Sequence, residues 1–242
     1  MIRVVPYETL SGSDTANISI RDHFRGTIEN HGKPSYGLGA LRVLADTRIS
    51  PQSGFPMHEH KNFEIITFVV SGTLSHEDTT GARGLLNEGD VQVMTTGAGV
   101  RHSEINASNK YTRVYQMWFY AEKLNLKPSY ADLIAPPLND QGNFTVYASG
   151  APHIVGLRTI NQNVAVMGTR LEPGYTSIYK LLPGRSAYIL AVDGPLVINN
   201  VKLPAQGGAE LCEEAEIHTV VEDTPSRVVL IDVANTFENP EK

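Results

Sequence analysis

The chain has 242 residues, enough for one large β domain or two smaller ones, and its apolar fraction of 41% excludes a disordered protein. Acidic and basic residues are well mixed and leave a net charge of −6, which argues against direct nucleic-acid binding because phosphates require a basic face. A single cysteine, Cys212, excludes an intrachain disulfide, and the longest apolar run, residues 187–192, is too short to span a bilayer. We therefore expect a cytoplasmic protein with no membrane partner.

The N-terminal part of the chain combines short apolar runs with a long polar stretch over residues 11–37, whose many turn-forming residues predict turns and irregular segments. Two histidines in this stretch, His23 and His31, have no partner at ligand spacing, and we interpret them as surface or hydrogen-bonded side chains. Strands are predicted around this stretch over 2–5, 41–44 and 47–49.

Residues 54–120 form a run of short β-branched and aromatic segments separated by glycine turns. No helical period lies between these segments, so the pattern predicts a closed barrel or a sandwich. The predicted strands cover residues 63–70, 74–78, 91–94 and 111–120.

Residues 121–142 contain three of the 14 prolines and are predicted to be a linker with short helical turns. Beyond them the β pattern returns, with strands predicted over 144–148, 164–171, 177–182, 187–192, 196–198 and 228–233. Both halves share an order of strands and glycine turns, which indicates two copies of one β unit.

Four polar residues in the first half have the spacing of metal ligands. Side chains two residues apart in a strand lie on one face, so His58 and His60 share a face, as do His102 and Glu104. Two such pairs facing each other would offer three nitrogens and one oxygen to a borderline divalent ion. In the second half the equivalent positions carry Lys180, Leu182 and a lone His218, so we expect no such site there.

The spacing leaves the carboxylate ligand open, because Glu64 continues the face of His60 just as Glu104 continues that of His102. Whichever is not the ligand would support the site from outside. We interpret His76, beside Asp78, as a hydrogen-bonded histidine at the rim. Asn106 extends the face of His102 and could orient a ligand.

The same residues resemble the motifs of the cupin superfamily. HEHKNFE followed by Gly72 is similar to the first cupin motif, and Gly97-x-Gly99-x-x-His102 with Asn106 is similar to the second, with Gly97 where proline is usual. The closer resemblance is to the pirin family, on GFPMHEHKNFEIITFVVSGTLSHEDTTG, GDVQVMTTGAGVRHSE and YQMWF. The motif-rich match covers about residues 36–122, and Glu59 replaces the proline that the family usually carries between the two histidines.

This resemblance implies an all-β bicupin of two β-barrel domains, of which only the first holds a metal. The expected division is 1–122 for the metal-binding domain, 123–142 for the linker and 143–242 for a second domain without a metal site. The resemblance assigns the ligands as His58, His60, His102 and Glu104, and leaves Glu64 a supporting role.

The resemblance also implies a quercetin 2,3-dioxygenase-like oxidoreductase, which opens a flavonol ring with O2 and takes a small aromatic substrate. Iron(II) is the favoured ion, with Ni, Co, Mn, Cu and Zn as alternatives. Glu104 would accept the proton of the flavonol hydroxyl. The aromatic rings would lie in a barrel interior lined by Ile66, Phe68, Val70 and Met94. The alternatives are a metal-dependent redox-sensing module that binds a protein partner, and a cupin enzyme with another small-molecule substrate.

Overall fold

The computed structural model describes residues 1–25, 38–134 and 141–237. Their regular secondary structure consists of strands apart from one 3-10 turn within these ranges, Tyr7–Thr9, and turns and loops connect the strands. The all-β class predicted from the sequence is therefore confirmed. No helix in the described ranges is long and apolar enough to cross a membrane. His31 lies outside the described residues.

The N-terminal domain contains two sheets. Their strands are β2 (Ser11–Asp14), β3 (Ile18–Arg25), β4 (Leu41–Ile49), β5 (Ser53–His60), β6 (Phe63–Ser71), β7 (Thr73–Asp78), β8 (Arg83–Asn87), β9 (Val91–Thr95), β10 (Val100–Asn106), β11 (Thr112–Tyr120) and β12 (Ser129–Leu133). The larger sheet has the strand order β12-β9-β6-β11-β4-β3-β2, and the smaller sheet has the order β5-β10-β7-β8.

The C-terminal domain repeats this arrangement of one seven-stranded and one four-stranded sheet. Its strands are β1 (Ile2–Val5), β13 (Thr145–Ser149), β14 (Arg158–Thr159), β15 (Val164–Leu171), β16 (Thr176–Lys180), β17 (Arg185–Ala191), β18 (Leu196–Ile198), β19 (Val201–Leu203), β20 (Gly208–Cys212), β21 (Glu216–Val220) and β22 (Ser226–Ala234). The larger sheet has the order β1-β20-β17-β22-β15-β13-β14, and the smaller has the order β16-β21-β18-β19. The structure therefore contains two barrel-like units of the same plan, as the internal repeat predicted.

Two segments lie in a different place from the predicted division. Strand β1 pairs with β20, so the first residues belong to the sheet of the C-terminal strands, where Ile2 and Val4 pack against the apolar core. Strand β12 pairs with β9, so Ser129–Leu133 of the predicted linker extends the N-terminal sheet instead. Residues 135–140 of that linker lie outside the described residues. The exact boundaries at 122 and 143 stay a prediction.

The stretch over residues 11–37 was predicted to contain turns and irregular segments, and in its described part, residues 11–25, strands take up most of the chain. Strands β2 and β3 form an antiparallel pair at the edge of the large sheet, and the turn between them is present, with Thr15 Oγ1 accepting hydrogen bonds from Asn17 N and Ile18 N. Every residue of β2 is exposed, so the strand has no apolar alternation to reveal it. The two strands predicted at 41–44 and 47–49 are the single strand β4. Asp46, which separated them in the sequence, is buried and accepts hydrogen bonds from Arg113.

The two large sheets pack face to face and form a continuous apolar core between the domains. Phe68 of β6 stacks on Tyr147 of β13, with ring centroids 6.1 Å apart. Polar groups also cross the boundary: Arg113 donates to the carbonyl of Val192 at 3.2 Å, and Arg227 donates to that of Val70 at 2.9 Å. The domains are therefore held together by packing and by hydrogen bonds.

The two barrel interiors differ in content. The C-terminal interior is filled by one apolar cluster that includes Met167, Ile189 and Leu230. The N-terminal interior is divided into two small apolar clusters, one around Leu74 and the other around Met94. Polar side chains occupy the space between these two clusters, and this is where the candidate site lies.

Candidate metal centre

Two paired strands of the small N-terminal sheet bring three histidines together. Strands β5 and β10 are antiparallel, and their register sets His58 opposite His102. The ring centroids of His58 and His102 lie 4.4 Å apart, and that of His60 lies 4.8 Å from His58 and 5.1 Å from His102. One nitrogen of each ring lies within 4.8 Å of the others, which is close enough for one ion to bind all three.

A glycine bend before β10 sets the position of His102. Gly97 has a φ of 49°, in the left-handed region that favours glycine, and a Cβ there would clash with the carbonyl oxygen of Leu126. The bend is tied to the same segment by a hydrogen bond from Ala98 N to that oxygen, 2.8 Å long. Proline could not adopt this φ, so the departure from the usual cupin motif has a conformational basis.

Glu104 lies two residues beyond His102, after an irregularity in the β5–β10 pairing, and is buried. Both of its carboxylate oxygens accept hydrogen bonds from Gln116 Nε2, at 3.1 and 2.9 Å. Gln116 is itself oriented by Trp118, whose indole nitrogen donates to Gln116 Oε1 at 2.9 Å. The indole ring also packs edge-on against His60, at 4.6 Å. Strand β11 thus fixes both a histidine and the carboxylate.

A row of polar side chains crosses the large sheet opposite the histidines. Gln116, Thr67 and Gln92 are neighbours in register on β11, β6 and β9. Gln92 is fully buried, and its amide has no hydrogen-bond partner of good geometry in the described part of the chain, although it lies close enough to Glu104 to favour the carboxylate. This row of polar residues was not predicted from the sequence. The available signal was a polar residue within each apolar strand, at the centre of β6 and β11 and at the second position of β9.

Burial keeps His60 and His102 neutral near pH 7. Desolvation, with a smaller effect of neighbouring His58, lowers the pKa of His60 to about 4. Desolvation and the surrounding histidines lower the pKa of His102 to about 3. Neutral imidazoles keep the lone pair that a metal ion requires. Burial raises the pKa of Glu104, and the hydrogen bonds from Gln116 oppose this only in part.

The donor set fits a divalent transition metal. His102 Nε2 is buried and has no hydrogen-bond partner among the described residues, which is costly unless an ion or another group satisfies it. His58 Nδ1 lies 2.8 Å from the carbonyl oxygen of Pro56, an arrangement that leaves Nε2 of that ring free for an ion. Imidazole nitrogens suit iron, nickel, copper and zinc.

A cavity of about 190 Å³ opens beside this cluster. Its polar end is formed by His58, His60, Glu104 and Gln116, and its walls by apolar side chains. Arg25 of β3 also lines it and pairs with Asp22 at 2.7 Å. The apolar part of the lining consists of Ile20, Val43, Ala45, Phe55 and Trp118. The cavity therefore offers an apolar surface that ends at the metal-binding groups.

Comparison with known proteins agrees with this geometry. The sequence profile described as Pirin matches residues 12–119, and the one described as Quercetinase C-terminal cupin domain matches residues 152–233. The chain is 36% identical to a pirin-like protein of Caulobacter vibrioides over 97% of its own length and 100% of that protein. This chain belongs to the pirin family. Both cupin domains of the pirin fold are present, as expected.

Two further relatives connect the pirin family to an activity and a metal. A protein of Escherichia coli named quercetin 2,3-dioxygenase is 31% identical over 86% of this chain and 88% of that protein. The crystal structure of the bacterial pirin YhhW from Escherichia coli in complex with nickel(II) has a TM-score of 0.85 and 26% identity. The structural match covers 98% of this chain and 100% of the YhhW chain.

The structure places the four predicted pirin ligands in one region, but in two overlapping groups. His58, His60 and His102 form one, while Glu104 forms the other with His102 and His76. Glu104 lines the same cavity as His58 and His60. The assignment of all four as ligands of one ion stays a prediction.

Two predicted supporting residues lie elsewhere. Glu64 is buried on the side of β6 that faces the other domain, where it accepts hydrogen bonds from Thr95 at 2.8 Å and from Asn161 at 3.3 Å. Phe68, with Ile66 and Val70, belongs to the core between the domains and does not line the cavity. Their faces were predicted wrongly because the chain changes sheets between β5 and β6, at Asn62, whose φ is 59°.

The remaining predicted residues lie near the site in other roles. Met94 points into the N-terminal barrel and packs with Ile65 and Val100, outside the cavity lining. Asn106 donates to the carbonyl of Lys110 in the loop after β10 and to those of Ile49 and Ser50 at the end of β4, so it ties these two segments together. His76 is hydrogen-bonded to Asp78 as predicted, but it is buried rather than at the rim.

Proposed function

We propose that this pirin is a metal-dependent dioxygenase that opens the ring of flavonols such as quercetin with O2. The observation that carries the proposal is the convergence of His58, His60 and His102 at the end of an apolar cavity. The name quercetin 2,3-dioxygenase, carried by a relative 31% identical to this chain, supports this reaction over others that a cupin could perform.

The ligand set supports one divalent transition metal, with iron(II) as the first ion to test and nickel(II), which the YhhW structure contains, as the second. Such a metal, when bound, supplies Lewis acidity and the one-electron chemistry that dioxygen requires. His58, His60 and His102 would hold it, with Glu104 as the fourth ligand.

Glu104 is the proposed general base for the flavonol 3-hydroxyl. Burial raises its pKa, which makes the carboxylate a stronger base than an exposed glutamate. The amide of Gln116 holds both oxygens, so the carboxylate stays oriented as it accepts the proton. Glu104 lines the cavity, so a substrate there could contact it directly.

The cavity walls would bind the aromatic rings. Phe55 and Trp118 provide flat apolar surfaces, and Val43 and Ala45 close the side formed by β4. An apolar lining also excludes water, which strengthens the electrostatic interactions of the metal-binding end.

The test is flavonol loss by purified protein that has been stripped of metal and reloaded with iron(II) or nickel(II), followed by absorbance with and without O2. We expect loss that depends on both metal and O2, and a decrease of roughly two orders of magnitude or more in His58→Ala. His218→Ala is the matched control, because His218 is an exposed histidine of the C-terminal domain, paired with Glu216.

Full turnover in His58→Ala would show that the site is wrongly assigned. Tight metal binding without flavonol loss in any reloaded state would instead leave the two alternatives, a cupin enzyme for another small molecule and a redox-sensing module. Metal-dependent capture of a defined protein partner would separate the second of these from the first.

A further inference from the structure

His76 is a buried histidine that connects the candidate metal centre to a carboxylate. It lies on β7, next to β10 in the small sheet, and its register partner is Glu104. Its Nδ1 lies 3.4 Å from Nδ1 of His102, and its Nε2 lies 3.3 Å from Oδ2 of Asp78. The side chains of His76 and Asp78 are almost fully buried, so water does not compete for these contacts.

Asp78 is held by the turn that follows β7. Its Oδ1 accepts hydrogen bonds from Thr80 N at 2.8 Å, Thr80 Oγ1 at 2.7 Å and Ala82 N at 3.2 Å. Oδ1 is therefore fully used by the turn, and Oδ2 is left to face His76. A carboxylate only accepts hydrogen bonds, so the proton in this contact belongs to His76 Nε2.

This assignment determines the rest of the chain of contacts. A neutral imidazole with a proton on Nε2 has a lone pair on Nδ1, so His76 Nδ1 must accept from His102 Nδ1–H. His102 then has its lone pair on Nε2, which is the buried nitrogen without a hydrogen-bond partner. His58 also has Nδ1 bound to an acceptor and Nε2 left for an ion, but its acceptor is the backbone carbonyl oxygen of Pro56 rather than a second histidine.

The His76 ring is also fixed by packing. Tyr130 of β12 stacks on it, with centroids 4.0 Å apart and an interplanar angle of 19°. Gly84 of β8 is the register partner of His76, and a side chain at Gly84 would clash with the Tyr130 hydroxyl. The absence of a side chain at this position leaves room for the stacked tyrosine.

We propose that Asp78 and His76 are positioning residues that fix the tautomer of His102 and present its Nε2 to the metal ion. This inference rests on the proposed metal site. Metal-binding histidines commonly donate their second N–H to a carboxylate or carbonyl, and here a second histidine is interposed between ligand and carboxylate.

The competing arrangement is a second ion bound by His76, His102 and Glu104, whose ligand atoms also lie within 4.8 Å of one another. The two arrangements exclude each other, because His76 Nδ1 has one lone pair and cannot serve both a metal and His102. Metal stoichiometry therefore separates them, with one ion per chain expected.

The test compares three variants by competition of the protein with a chelator for zinc(II) and nickel(II). His76→Asn keeps an oxygen acceptor near the position of Nδ1, so its metal affinity should stay within about threefold of the wild type. His76→Leu has no acceptor and should lose about 10- to 100-fold. In Asp78→Asn the amide oxygen keeps the hydrogen bonds of the turn, and the NH2 group faces His76. His76 Nε2 must then accept a hydrogen bond, which reverses the tautomers of His76 and His102 and should lower metal affinity at least about tenfold.

The double variant His76→Leu with Asp78→Asn should bind metal no more weakly than His76→Leu alone, because both changes act through one chain. Nitrogen-15 NMR of the metal-free wild type should show His102 with its proton on Nδ1, with the signal assigned by its loss in His102→Gln. Thermal unfolding of every variant confirms that it is folded before affinities are compared.

Wild-type affinity in both His76→Leu and Asp78→Asn would overturn the proposal, as would a His102 proton on Nε2 in the wild type. Two ions per chain, one of them lost in His76→Leu, would favour the second metal site. In each case flavonol oxidation can stay intact, so failure of this inference is distinguishable from failure of the proposed function.

Discussion

Gln116 shows what a pattern of ligands in the sequence cannot reveal. The pairs His58 and His60, and His102 and Glu104, could be predicted because ligand spacing two residues apart is a local property of a strand. Gln116 is a polar residue at the centre of a largely apolar strand, but its partner Glu104 lies in another sheet. Only the closure of the barrel brings the two together.

We predict that Gln116→Leu weakens the site without unfolding the protein. The change leaves the buried Glu104 carboxylate without its two hydrogen bonds, which raises its pKa further and should lower metal affinity about tenfold, with a parallel loss of flavonol oxidation. Competition with a chelator measures the affinity. Gln206→Leu, which removes a glutamine of the C-terminal domain that contacts Arg48 and does not line the cavity, is the control and should bind metal like the wild type.

Trp118→Phe separates the packing of Trp118 on His60 from its hydrogen bond to Gln116. Phenylalanine keeps an aromatic ring near His60 but removes the indole N–H that holds the Gln116 amide. The expected loss of metal affinity is smaller than that of Gln116→Leu, by chelator competition. A loss larger than in Gln116→Leu would mean that packing on His60 matters more than the carboxylate contact.

At the level of elements, the apolar strands could be located from the sequence, but strands such as β8, β19 and β20 were not predicted, and strand faces were predicted less well. Most predicted strands of the apolar type are present within two residues, as for β6 and β15. The face of β6 was predicted by continuing the strand alternation from His60. The left-handed backbone at Asn62 interrupts this alternation, so the prediction of the face is wrong. A sequence does not show that the chain leaves one sheet for another at such a position.

The glycine bend before β10 gives a prediction at this scale. Gly97→Ala combines a left-handed backbone, with a φ of 49°, and a clash against the Leu126 carbonyl. Gly81 has a φ of 91°, further outside the left-handed region that alanine tolerates, and open space around it, so its backbone cost is at least as large. We expect Gly81→Ala to lower the free energy of unfolding by about 1–2 kcal/mol and Gly97→Ala by clearly more. Denaturant unfolding measures both. Equal losses would mean that the close approach at Gly97 costs nothing.

For the whole molecule, the sequence repeat predicted two similar domains but not how they meet. The interface is made by apolar residues that also fit a barrel interior, such as Ile66 and Phe68, so the sequence alone could not distinguish the two environments. The sequence likewise does not reveal that β1 belongs to the second domain, because Ile2–Val5 pairs with residues more than 200 positions away.

Glu64 gives the interface a measurable pH dependence. Burial raises its pKa to about 7, and the hydrogen bonds from Thr95 and Asn161 offset this only in part. A raised pKa means that the folded state binds the proton of Glu64 more tightly than the unfolded state does. Protonation of Glu64 therefore contributes fully to the free energy of unfolding below the unfolded pKa of 4.5, and this contribution is lost as the pH rises through about 7.

We predict that Glu64→Gln removes this dependence. Between pH 5 and pH 8 the free energy of unfolding of the wild type should fall by roughly 2–3 kcal/mol relative to the variant. Chemical unfolding at several pH values measures it, with Glu222→Gln, an exposed surface residue, as the control. Parallel curves for wild type and Glu64→Gln would contradict the prediction.

The most direct test of the metal centre as a dioxygenase site is oxygen uptake by the iron(II)-loaded protein in the presence of quercetin. We predict that O2 and flavonol disappear in equal amounts, that chelation of the metal stops both, and that His58→Ala abolishes both while His218→Ala does not. Flavonol loss that continues without metal, or without O2 uptake, would contradict the account.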